Sequence, residues 1–402
     1  MPSPSRHMAE VSQALSIKYN NIVYEMKARG EDVIVLSLGE AFFDIPLFPF
    51  DDLPFPALYH YSHSRGLLEL RQQLAAFYAG KHGVAVDPAT EIIVTAGAKL
   101  ATHMSLMSLL DPGDEVLIHE PAWVSYSEQI KLCFGRTVAI PYGRAISDFP
   151  KYLTPKTKAI IVNNPHNPRG SVLAEAELRF LHDLVRERNL FLIADETYSE
   201  FVDNDAFISA GVFDPAKEHT VICNSMSKNY GMSGWRIGFV IAGKAVAEEI
   251  LKVTQHLITC PASILQYYLC RHFHDILAIT RPQILRLIAT RRRIAAYMDE
   301  IGLQRLPGDA TFYFFVSIAP SGLTSEEFCT RLLREHRISA VPGIGYGHSC
   351  DQFIRVSVGT ETMERMQHAL HTIKRLIVAT AAAVSQAAAA SGSDPALRSG
   401  QR

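Results

Sequence analysis

The sequence predicts an α/β protein, in which a mostly parallel β-sheet flanked by helices is followed by a smaller α+β unit. Two observations support this fold class. From about residue 85 to 245, short apolar runs alternate with amphipathic helical patterns, which is typical of βαβ units and a buried parallel sheet. Beyond residue 245, long helical patterns lead into a second set of short strands, which predicts a separate and smaller unit.

The N-terminal part of the chain shows little regular pattern. Residues 1–11 predict a loose arm, and residues 33–38 (VIVLSL) predict a short strand that ends at Gly39 and Glu40. Residues 42–61 contain five phenylalanines interleaved with four prolines, which argues against a long helix or a regular central strand. This segment is either a loop that packs its aromatic side chains on the body or a stiff wall for a pocket or a subunit contact. We favour the wall.

The strands of the predicted sheet follow one another at short intervals. A helical pattern from residue 67 precedes the first strand at 91–95 (EIIVT), and a second helical pattern ends at the sequence DPG (111–113). Because helical patterns such as 174–188 separate the later apolar runs, we expect parallel strands joined by crossover helices. These later strands are predicted at 115–119, 137–140, 158–163, 190–194, 220–224 and 237–242.

The smaller unit follows two long helical patterns, at 245–275 and 282–301. A helix from about 362 to 379 closes it, and the tail that follows is Ala-rich and then polar, which predicts a frayed helix that runs into disorder. The strands of this unit are predicted at 312–317, 338–341 and 353–357.

Length, composition and charge argue against several classes of function. At 402 residues, with 48% hydrophobic and 20% charged residues, the chain has the composition of a globular protein with more than one domain. Its net charge of −2 supplies no basic surface for nucleic acid, and no apolar run approaches the roughly 20 residues needed to span a bilayer. No secretory signal is visible, and six cysteines without a CxxC pair indicate free thiols. These features predict a cytoplasmic enzyme that binds neither nucleic acid nor membrane.

Residues 225–238 (SMSKNYGMSGWRIG) carry the strongest chemical signal in the chain. Lys228 lies there between two predicted strands among apolar bulk, and burial favours the neutral amine, which is a nucleophile towards carbonyl groups. Ser225, Ser227 and Arg236 supply the hydroxyl and guanidinium groups that suit a phosphate. An amine nucleophile beside a phosphate cradle predicts pyridoxal phosphate held as a Schiff base. The alternative is a strand–loop–strand with an ordinary lysine.

Four predicted strands end in residues that this cofactor needs, and ligands of open parallel sheets bind at the carboxyl ends of the strands. Residues 96–99 (AGAK) open a helix whose N–H groups suit a phosphate. Asn167 lies between two prolines that hold its amide stiffly. Asp195 ends a buried strand, where its carboxylate needs a cation such as a pyridinium nitrogen, and Tyr198 follows within reach of a phenolic oxygen. The loop with Lys228 follows the fourth strand.

Two further residues each allow two interpretations. Trp123 follows a strand and would stack on a pyridine ring, although a core or interface tryptophan fits nearly as well. Arg355 lies inside a predicted strand, where either a substrate carboxylate or a structural ion pair would satisfy it. The GIGYG sequence at 343–347 lacks the context of a dinucleotide site, and the histidines show no metal-ligand spacing, so we predict no metal site.

Several short motifs occur in a characteristic order: SLGE (37–40), YSHSRGLLELR (61–71), TAGAKLA (95–101), EPAWVSY (120–126), NPHNPRG (164–170), DETY (195–198), SMSKNYGMSGWRIG (225–238) and FIRVS (353–357). In this order and spacing the chain resembles the class I/II aminotransferases, pyridoxal-phosphate-dependent transferases of fold type I, over about residues 33–375. It is most similar to bacterial aspartate and aromatic aminotransferases. The resemblance implies transfer of an amino group between an L-amino acid and a 2-oxo acid, with pyridoxal 5'-phosphate as cofactor.

The resemblance implies three catalytic residues. Lys228 would form the Schiff base and move the proton, Asp195 would pair with the pyridine nitrogen, and Tyr198 would hydrogen-bond the phenolic oxygen together with Asn167. The implied substrate-binding residues are Arg355 at the α-carboxylate, Gly39 and Asn167.

The resemblance also implies a homodimer with shared active sites, because Tyr61 would reach the phosphate of the neighbouring subunit. The other implied cofactor-binding residues are Trp123 at the ring, and Gly97, Ala98, Lys99, Ser225, Ser227 and Arg236 at the phosphate. The expected domains are an N-terminal arm and a segment packing with the small domain at 1–45, the large cofactor-binding domain at 46–285, the small domain at 286–380 and a disordered tail at 381–402.

The chain departs from the family pattern at three places. The usual GEPDF is GEAFF (39–43), the segment from there to Tyr61 is shorter and lacks a helix, and NPTG is NPRG, which places Arg169 near the site. Other reactions of the same cofactor therefore stay open, namely lyase, oxidase or hydroxylase, and decarboxylase chemistry, although a carboxylate held by Arg355 argues against decarboxylation. A non-catalytic regulator on this fold is disfavoured because the lysine at 228 is present.

The amino donor is expected to be neutral. Phe42 and Phe43 fall where the family's N-terminal segment covers the substrate, and an apolar cover disfavours a buried carboxylate. The alternative is a positive patch that accepts an acidic donor, for which the candidate residues are His60, His63, Arg65, Arg169 and His256.

Overall fold

Two sheets and one short strand pair form the framework of the molecule, in a computed structural model that describes residues 2–51, 53–203 and 206–391. In chain order, the described strands are β1 (Ile34–Val35), β2 (Ile92–Thr95), β3 (Glu115–His119), β4 (Arg136–Ile140), β5 (Thr157–Asn163), β6 (Phe191–Asp195), β7 (Thr220–Ser225), β8 (Gly238–Ile241), β9 (Tyr313–Ser317), β10 (Ile338–Ser339), β11 (Val341–Pro342) and β12 (Phe353–Ser357).

The strands β2 to β8 form one sheet in the order β2-β8-β7-β6-β5-β3-β4. Neighbouring strands are parallel, except that β8 runs antiparallel to both β2 and β7. Leu192, Ile193 and Ala194 in the central strand β6 are all buried, so both faces of the sheet are covered. The predicted α/β fold with a mostly parallel sheet is confirmed.

Helices cover both faces of this sheet and join it to the smaller unit. The helix α3 packs on the face that carries Ile193, and α5 packs on the opposite face against Leu192. None of the described helices combines the length and apolar composition needed to cross a membrane. They are α1 (Leu15–Ala28), α2 (Leu68–His82), α3 (Ala98–Leu109), α4 (Tyr126–Leu132), α5 (Glu175–Arg188), α6 (Met226–Asn229), α7 (Lys244–Leu257), α8 (Ser263–Glu300), α9 (Ser325–His336) and α10 (Met363–Ser391).

The smaller unit contains an antiparallel sheet in the order β11-β12-β9, in which Arg355 of β12 lies opposite Phe315 of β9. The N-terminal strand β1 pairs in parallel with β10 of this unit. The N-terminal segment is therefore bonded to a strand of the smaller unit. The predicted domain boundaries themselves stay predictions.

The structure corrects several predicted elements. The helix α1 was not predicted, and β1 covers only two residues of the strand predicted at 33–38. The helical pattern at 245–275 is divided between α7 and α8, because Thr259 between them has φ +63°, outside the right-handed helical range. The tail predicted for 381–402 begins as helix, since α10 continues to Ser391, and residues 392–402 lie outside the described residues.

Candidate active site

A cavity of about 540 Å³ opens at the carboxyl ends of β5, β6 and β7, which is the place where parallel sheets bind ligands. Its volume is in the range of small-molecule and cofactor sites. Of the site residues predicted from the sequence, those that line it are Gly39, Ala98, Lys99, Trp123, Asn167, Asp195, Tyr198, Ser225, Ser227, Lys228, Arg236 and Arg355.

Lys228 stands in the short helix α6, directly after the end of β7. Its Nζ donates a hydrogen bond to the carbonyl oxygen of Gly39. Burial lowers the pKa of Lys228 from 10.5 to about 8, and the charges of Arg355 and Arg236 act in the same direction against the carboxylate of Glu40. A measurable fraction of the amine is therefore neutral and nucleophilic near neutral pH.

Asp195 is buried at the end of β6 and accepts three hydrogen bonds. Tyr126 Oη donates to one carboxylate oxygen at 2.6 Å, and the hydroxyl and N–H groups of Thr197 donate to the other at 2.6 and 3.1 Å. Burial raises the pKa of Asp195 in spite of these bonds. Within the part of the chain that the structure describes, Asp195 forms no ion pair. A cationic ring nitrogen in the cavity would supply the missing positive charge.

Arg355 is buried in β12 and has no carboxylate partner among the described residues. Its Nη2 donates to the carbonyl oxygen of Ser37 at 2.7 Å and its Nη1 contacts Oδ1 of Asn167 at 3.4 Å. Its Nε has no partner in the described part of the chain. The alternative of a structural ion pair is thus not met, and the guanidinium keeps donor capacity for a carboxylate.

Gly39 packs against this guanidinium. A Cβ atom at Gly39 would lie 3.5 Å from Nη2 of Arg355 and 3.2 Å from Oη of Tyr313. The Cβ atom would be tight against the Tyr313 hydroxyl and in ordinary contact with Arg355, so a glycine leaves more room at this end of the cavity.

The main chain of Asn167 is held by the side chain of Asn163. Asn163 Oδ1 accepts a hydrogen bond from the N–H of Asn167 at 2.7 Å, and Nδ2 of Asn163 donates to the carbonyl oxygen of Asp195 at 2.9 Å. These two bonds tie the loop after β5 to the end of β6.

The N-terminus of α3 and the loop around α6 form a cradle of hydrogen-bond donors. The N–H groups of Ala98 and Lys99 stand in the first turn of α3, where a helix leaves them without intrahelical partners. Arg236 Nη1 contacts Oγ of Ser227 at 3.4 Å. Gly97 has φ +84°, and a Cβ atom there would lie 2.4 Å from Nη2 of Arg236, so this turn requires glycine. The donors and the guanidinium suit a phosphate dianion, and the cradle, Lys228 and Asp195 together fit pyridoxal 5'-phosphate.

Two predicted cofactor residues differ in their relation to the cavity. Trp123 lines the cavity, with its ring 5.2 Å from Nζ of Lys99. Tyr61 does not line it and is 85% exposed. The prediction that Tyr61 serves a neighbouring subunit therefore stays a prediction.

The predicted apolar cover is wrong for the chain as it stands. Phe42 is 67% exposed, and neither it nor Phe43 lines the cavity. Phe43 packs on Phe201, with ring centroids 6.3 Å apart, and Phe50 packs on Tyr268 of α8 at 4.8 Å. The segment thus packs its aromatic side chains on the body, while its part in a subunit contact is untested.

Sequence reasoning missed several residues at the site. Tyr126 and Thr197 occur inside the motifs EPAWVSY and DETY, and their positions beside Trp123 and Asp195 were a usable signal. Tyr313 and the α1 residues had no such signal. The cavity residues that were not predicted include Ser16, Ile17, Asn20, Leu38, Glu40, Thr197 and Tyr313.

Comparison with known proteins gives concordant results. The family model described as aminotransferase class I and II matches residues 51–373. An aspartate aminotransferase of Pyrococcus abyssi is 34% identical over 88% of this chain and 95% of its own length. The aromatic-amino-acid aminotransferase 2 of Thermococcus litoralis is 33% identical over 85% and 92%. Among solved structures, the aspartate aminotransferase of Thermus thermophilus with maleate superposes with a TM-score of 0.85 at 27% identity, covering 94% of this chain and all (100%) of that one.

Proposed function

The chain belongs to aminotransferase class I and II, and from this membership we propose how its cavity residues divide the work. It is a pyridoxal-5'-phosphate-dependent enzyme that moves an amino group between an amino acid and a 2-oxo acid. When bound, the cofactor supplies a sink for the electron pair left when the substrate α-proton departs. One observation supports the roles best: Lys228, Asp195 and Arg355 meet in one cavity, and none forms an ion pair with a described residue.

Lys228 binds the cofactor through Nζ and, as the neutral amine, takes the proton from the substrate Cα. Its pKa of about 8 keeps that amine available at neutral pH. Asp195 holds a positive charge at the ring nitrogen, and Tyr126 and Thr197 hold the Asp195 carboxylate in place by the three bonds described above.

Tyr198 and Asn167 are proposed to orient the cofactor from the side of its phenolic oxygen. The cradle of Gly97, Ala98, Lys99, Ser225, Ser227 and Arg236 is proposed to bind the phosphate, and Trp123 to stack on the ring.

Arg355 is proposed to bind the substrate α-carboxylate with two parallel hydrogen bonds. Gly39 leaves the room for that carboxylate, and Asn167 Oδ1 positions the guanidinium at 3.4 Å. A carboxylate held in this way keeps its bond to Cα, so the bond that breaks is Cα–H. This supports transamination over decarboxylation on the same fold.

The test of these roles is Lys228→Ala with Lys99→Ala as its matched control, because both lysines line the cavity and burial lowers the pKa of both. We expect Lys228→Ala to be folded and to lose turnover by at least about 10⁴-fold, whereas Lys99→Ala keeps measurable turnover. Equal losses in the two variants would contradict the assignment of Lys228.

The amino donor is proposed to be an amino acid with a neutral side chain. Ile17 and Leu38 supply apolar lining, and Ser16 and Asn20 supply uncharged polar lining. Among the described residues of the lining, Glu40 is the one acidic residue besides Asp195, and it would repel a distal carboxylate. None of the candidate residues for a positive patch lines the cavity, namely His60, His63, Arg65, Arg169 and His256. Arg65 instead pairs with Glu248 at 2.6 Å.

The donor is tested by comparing kcat/KM for phenylalanine, leucine, alanine, aspartate, glutamate and arginine with 2-oxoglutarate as the shared acceptor. Glu40→Gln is the companion variant, and we expect it to raise kcat/KM for aspartate and leave that for leucine within about twofold. A preference of wild-type enzyme for aspartate by about a hundredfold, or about 2.7 kcal/mol, would rule out the neutral donor.

The enzyme is proposed to be a homodimer with shared active sites and to act in the cytoplasm. The exposure of Tyr61 supports the first point, because that side chain is free to reach a second copy of the chain. All six cysteines are free thiols, which supports a reducing compartment. Sedimentation of the holoenzyme tests the dimer, and a fully active monomer would exclude shared sites. Tyr61→Phe is expected to weaken cofactor retention without changing the sedimentation of the protein.

A further inference from the structure

We propose that Tyr313 is a positioning residue that couples the phenol of Tyr198 to the guanidinium of Arg355. The proposal rests on the proposed function, in which Tyr198 faces the cofactor and Arg355 faces the substrate carboxylate. Tyr313 touches both of these groups at once, through its hydroxyl and through its ring.

The hydroxyl of Tyr313 lies 2.9 Å from the hydroxyl of Tyr198, and both side chains are buried. Each phenol has one proton to donate, so one hydroxyl donates in this bond and the other accepts. When Tyr313 donates, the proton of Tyr198 is left free to point into the cavity. When Tyr198 donates, that proton is used within the protein and is lost to a ligand.

The ring of Tyr313 lies under the guanidinium, with Cζ of Arg355 4.5 Å from the ring centroid. The strand pairing produces this contact. Arg355 lies opposite Phe315, and Tyr313 is two residues from Phe315 on the same face of β9, so Tyr313 and Arg355 are diagonal neighbours. A cation over the ring face attracts its electrons. This makes the phenol of Tyr313 the better proton donor of the two, so its hydroxyl donates to Tyr198 and leaves the Tyr198 proton free.

The backbone of Tyr313 is itself held by a buried cation. The Nε and Nη2 atoms of Arg291 donate to its carbonyl oxygen at 3.2 and 3.1 Å. The backbone from which the ring extends is therefore held in place. The two contacts of Tyr313 are made within the protein and need no ligand.

Tyr346 provides a matched control in the same neighbourhood. Its ring centroid lies 5.7 Å from Cζ of Arg355, and its hydroxyl is buried without a partner in the described part of the chain. Removing that hydroxyl changes no hydrogen bond to Tyr198. Tyr346→Phe thus shows the effect of losing a phenol oxygen near Arg355 while the hydrogen bond between Tyr313 and Tyr198 is kept.

The experiment measures two readouts on holoenzyme of Tyr313→Phe, Tyr313→Leu, Tyr198→Phe and Tyr346→Phe. The first is the midpoint of the pH titration of the bound cofactor's absorbance, and the second is the split between KM and kcat. Tyr313→Phe is expected to raise the midpoint by about half a pH unit, because Tyr198 becomes a weaker donor and stabilises the phenolate oxygen of the cofactor less. The KM of this variant is expected to change by less than about twofold. Tyr313→Leu is expected to raise KM for the amino acid about fivefold in addition, because the support under Arg355 is lost.

Tyr346→Phe is expected to leave both readouts unchanged, and the double variant Tyr198→Phe/Tyr313→Phe to show the same midpoint as Tyr198→Phe alone. The charged residues of the cavity lining are the same in all these variants, namely Glu40, Lys99, Asp195, Lys228, Arg236 and Arg355. If Tyr198→Phe moves the midpoint and Tyr313→Phe does not, the coupling is wrong and the role of Tyr198 stands. If neither moves it, both are wrong. An additive shift in the double variant also overturns the coupling.

Discussion

Asp195 and Glu196 are consecutive residues at the end of β6, yet their carboxylates serve two different regions of the molecule. Asp195 forms the front network with Tyr126 and Thr197, and this network borders the cavity. Glu196 points to the rear network, in which Ser209, the N–H of Ala210 and Tyr78 donate to its carboxylate at 2.8, 2.9 and 3.3 Å. The rear network continues from Tyr78 to Asn224, whose Oδ1 accepts from the N–H of Ser225 at 2.7 Å.

Local electrostatics alone does not separate the two regions. Burial raises the pKa of both carboxyl groups, that of Glu196 to about 8. Neither group forms an ion pair with a described residue. A strongly shifted pKa near neutrality is a common sign of a catalytic group. Here the pKa of Glu196 is raised to about 8, although Glu196 does not line the cavity. Access to a ligand, and not the size of the pKa shift, therefore distinguishes a carboxyl group that takes part in the reaction from one that stabilises the fold.

The largest expected difference between the regions is in turnover. Asp195→Asn removes the negative charge of the front network while it keeps the shape of the side chain. We expect kcat to fall by about 10³-fold or more, because a neutral ring nitrogen is a poor electron sink. The thermal midpoint of the protein without cofactor is not expected to fall, since the variant removes a buried charge that has no counter-ion. A kcat within about fivefold of wild type would mean that Asp195 holds no functional charge.

The corresponding change in the rear network acts on stability. Glu196→Ala leaves Tyr78, Ser209 and the N–H of Ala210 without an acceptor, so we expect the free energy of unfolding to fall by about 2–4 kcal/mol. Glu196→Gln is the milder variant and is expected to keep kcat within about fivefold of wild type. A 10³-fold loss of kcat in Glu196→Gln would show that Glu196 acts in the reaction as Asp195 does.

The pH dependence of stability sharpens the same comparison. Between the usual pKa of 4.5 and the folded pKa of about 8, the folded chain holds the Glu196 proton and the unfolded chain does not. Stability from this group therefore falls as the pH rises through that window. Glu196→Gln lacks this slope, so its stability relative to wild type is expected to increase from pH 5 to pH 8 in urea unfolding of the cofactor-free protein. A constant difference across that range would contradict a raised pKa.

The division between what the sequence predicted and what it missed has a physical basis. Asp195 ends β6 and Lys228 follows the end of β7, and the strand pattern places such ends at one edge of a sheet without any knowledge of tertiary contacts. Tyr126 is 69 residues from Asp195, and Tyr313 is 115 residues from Tyr198, so no local pattern relates the partners. The rear network is of the same kind: Tyr78 and Asn224 are 146 residues apart.

The missed helix α1 and the wrong cover have a common cause. In α1 the buried residues are Tyr19, Val23 and Met26, but the apolar residues Ile17 and Tyr24 are exposed, so the sequence does not mark a single apolar face. That helix delivers Ser16, Ile17 and Asn20 to the cavity, which is the position that the sequence had assigned to Phe42 and Phe43. Composition predicted that residues 42–61 form a wall of the pocket. Which segment lines the pocket is decided by tertiary packing, and α1 lines it instead.

The lysine at the front edge should titrate in a way that the rear carboxylate does not. In cofactor-free protein, competitive labelling of Lys228 by an amine reagent is expected to reach half its maximal rate near pH 8, because only the neutral amine reacts. A lysine with the ordinary pKa of about 10.4 reaches this point more than two pH units higher. Mass spectrometry of the labelled peptide gives the midpoint, with exposed lysines of the same digest as references. A midpoint equal to that of the references would show that the cavity does not desolvate Lys228.

The smallest expected effects come from a matched pair of phenols, one on each side of β6. Tyr126→Phe removes the 2.6 Å bond to Asp195 and is expected to lower kcat about tenfold, because the front carboxylate loses a donor that fixes its position. Tyr78→Phe removes the 3.3 Å bond to Glu196 and the acceptor for Nδ2 of Asn224, and is expected to lower the thermal midpoint by a few degrees with kcat changed by less than about twofold. Both variants delete one oxygen from a buried ring, so burial and volume are balanced between them. Were Tyr78→Phe to reduce kcat as much as Tyr126→Phe, the rear network would reach the reaction through Asn224 and Ser225, and the separation of the two regions would fail.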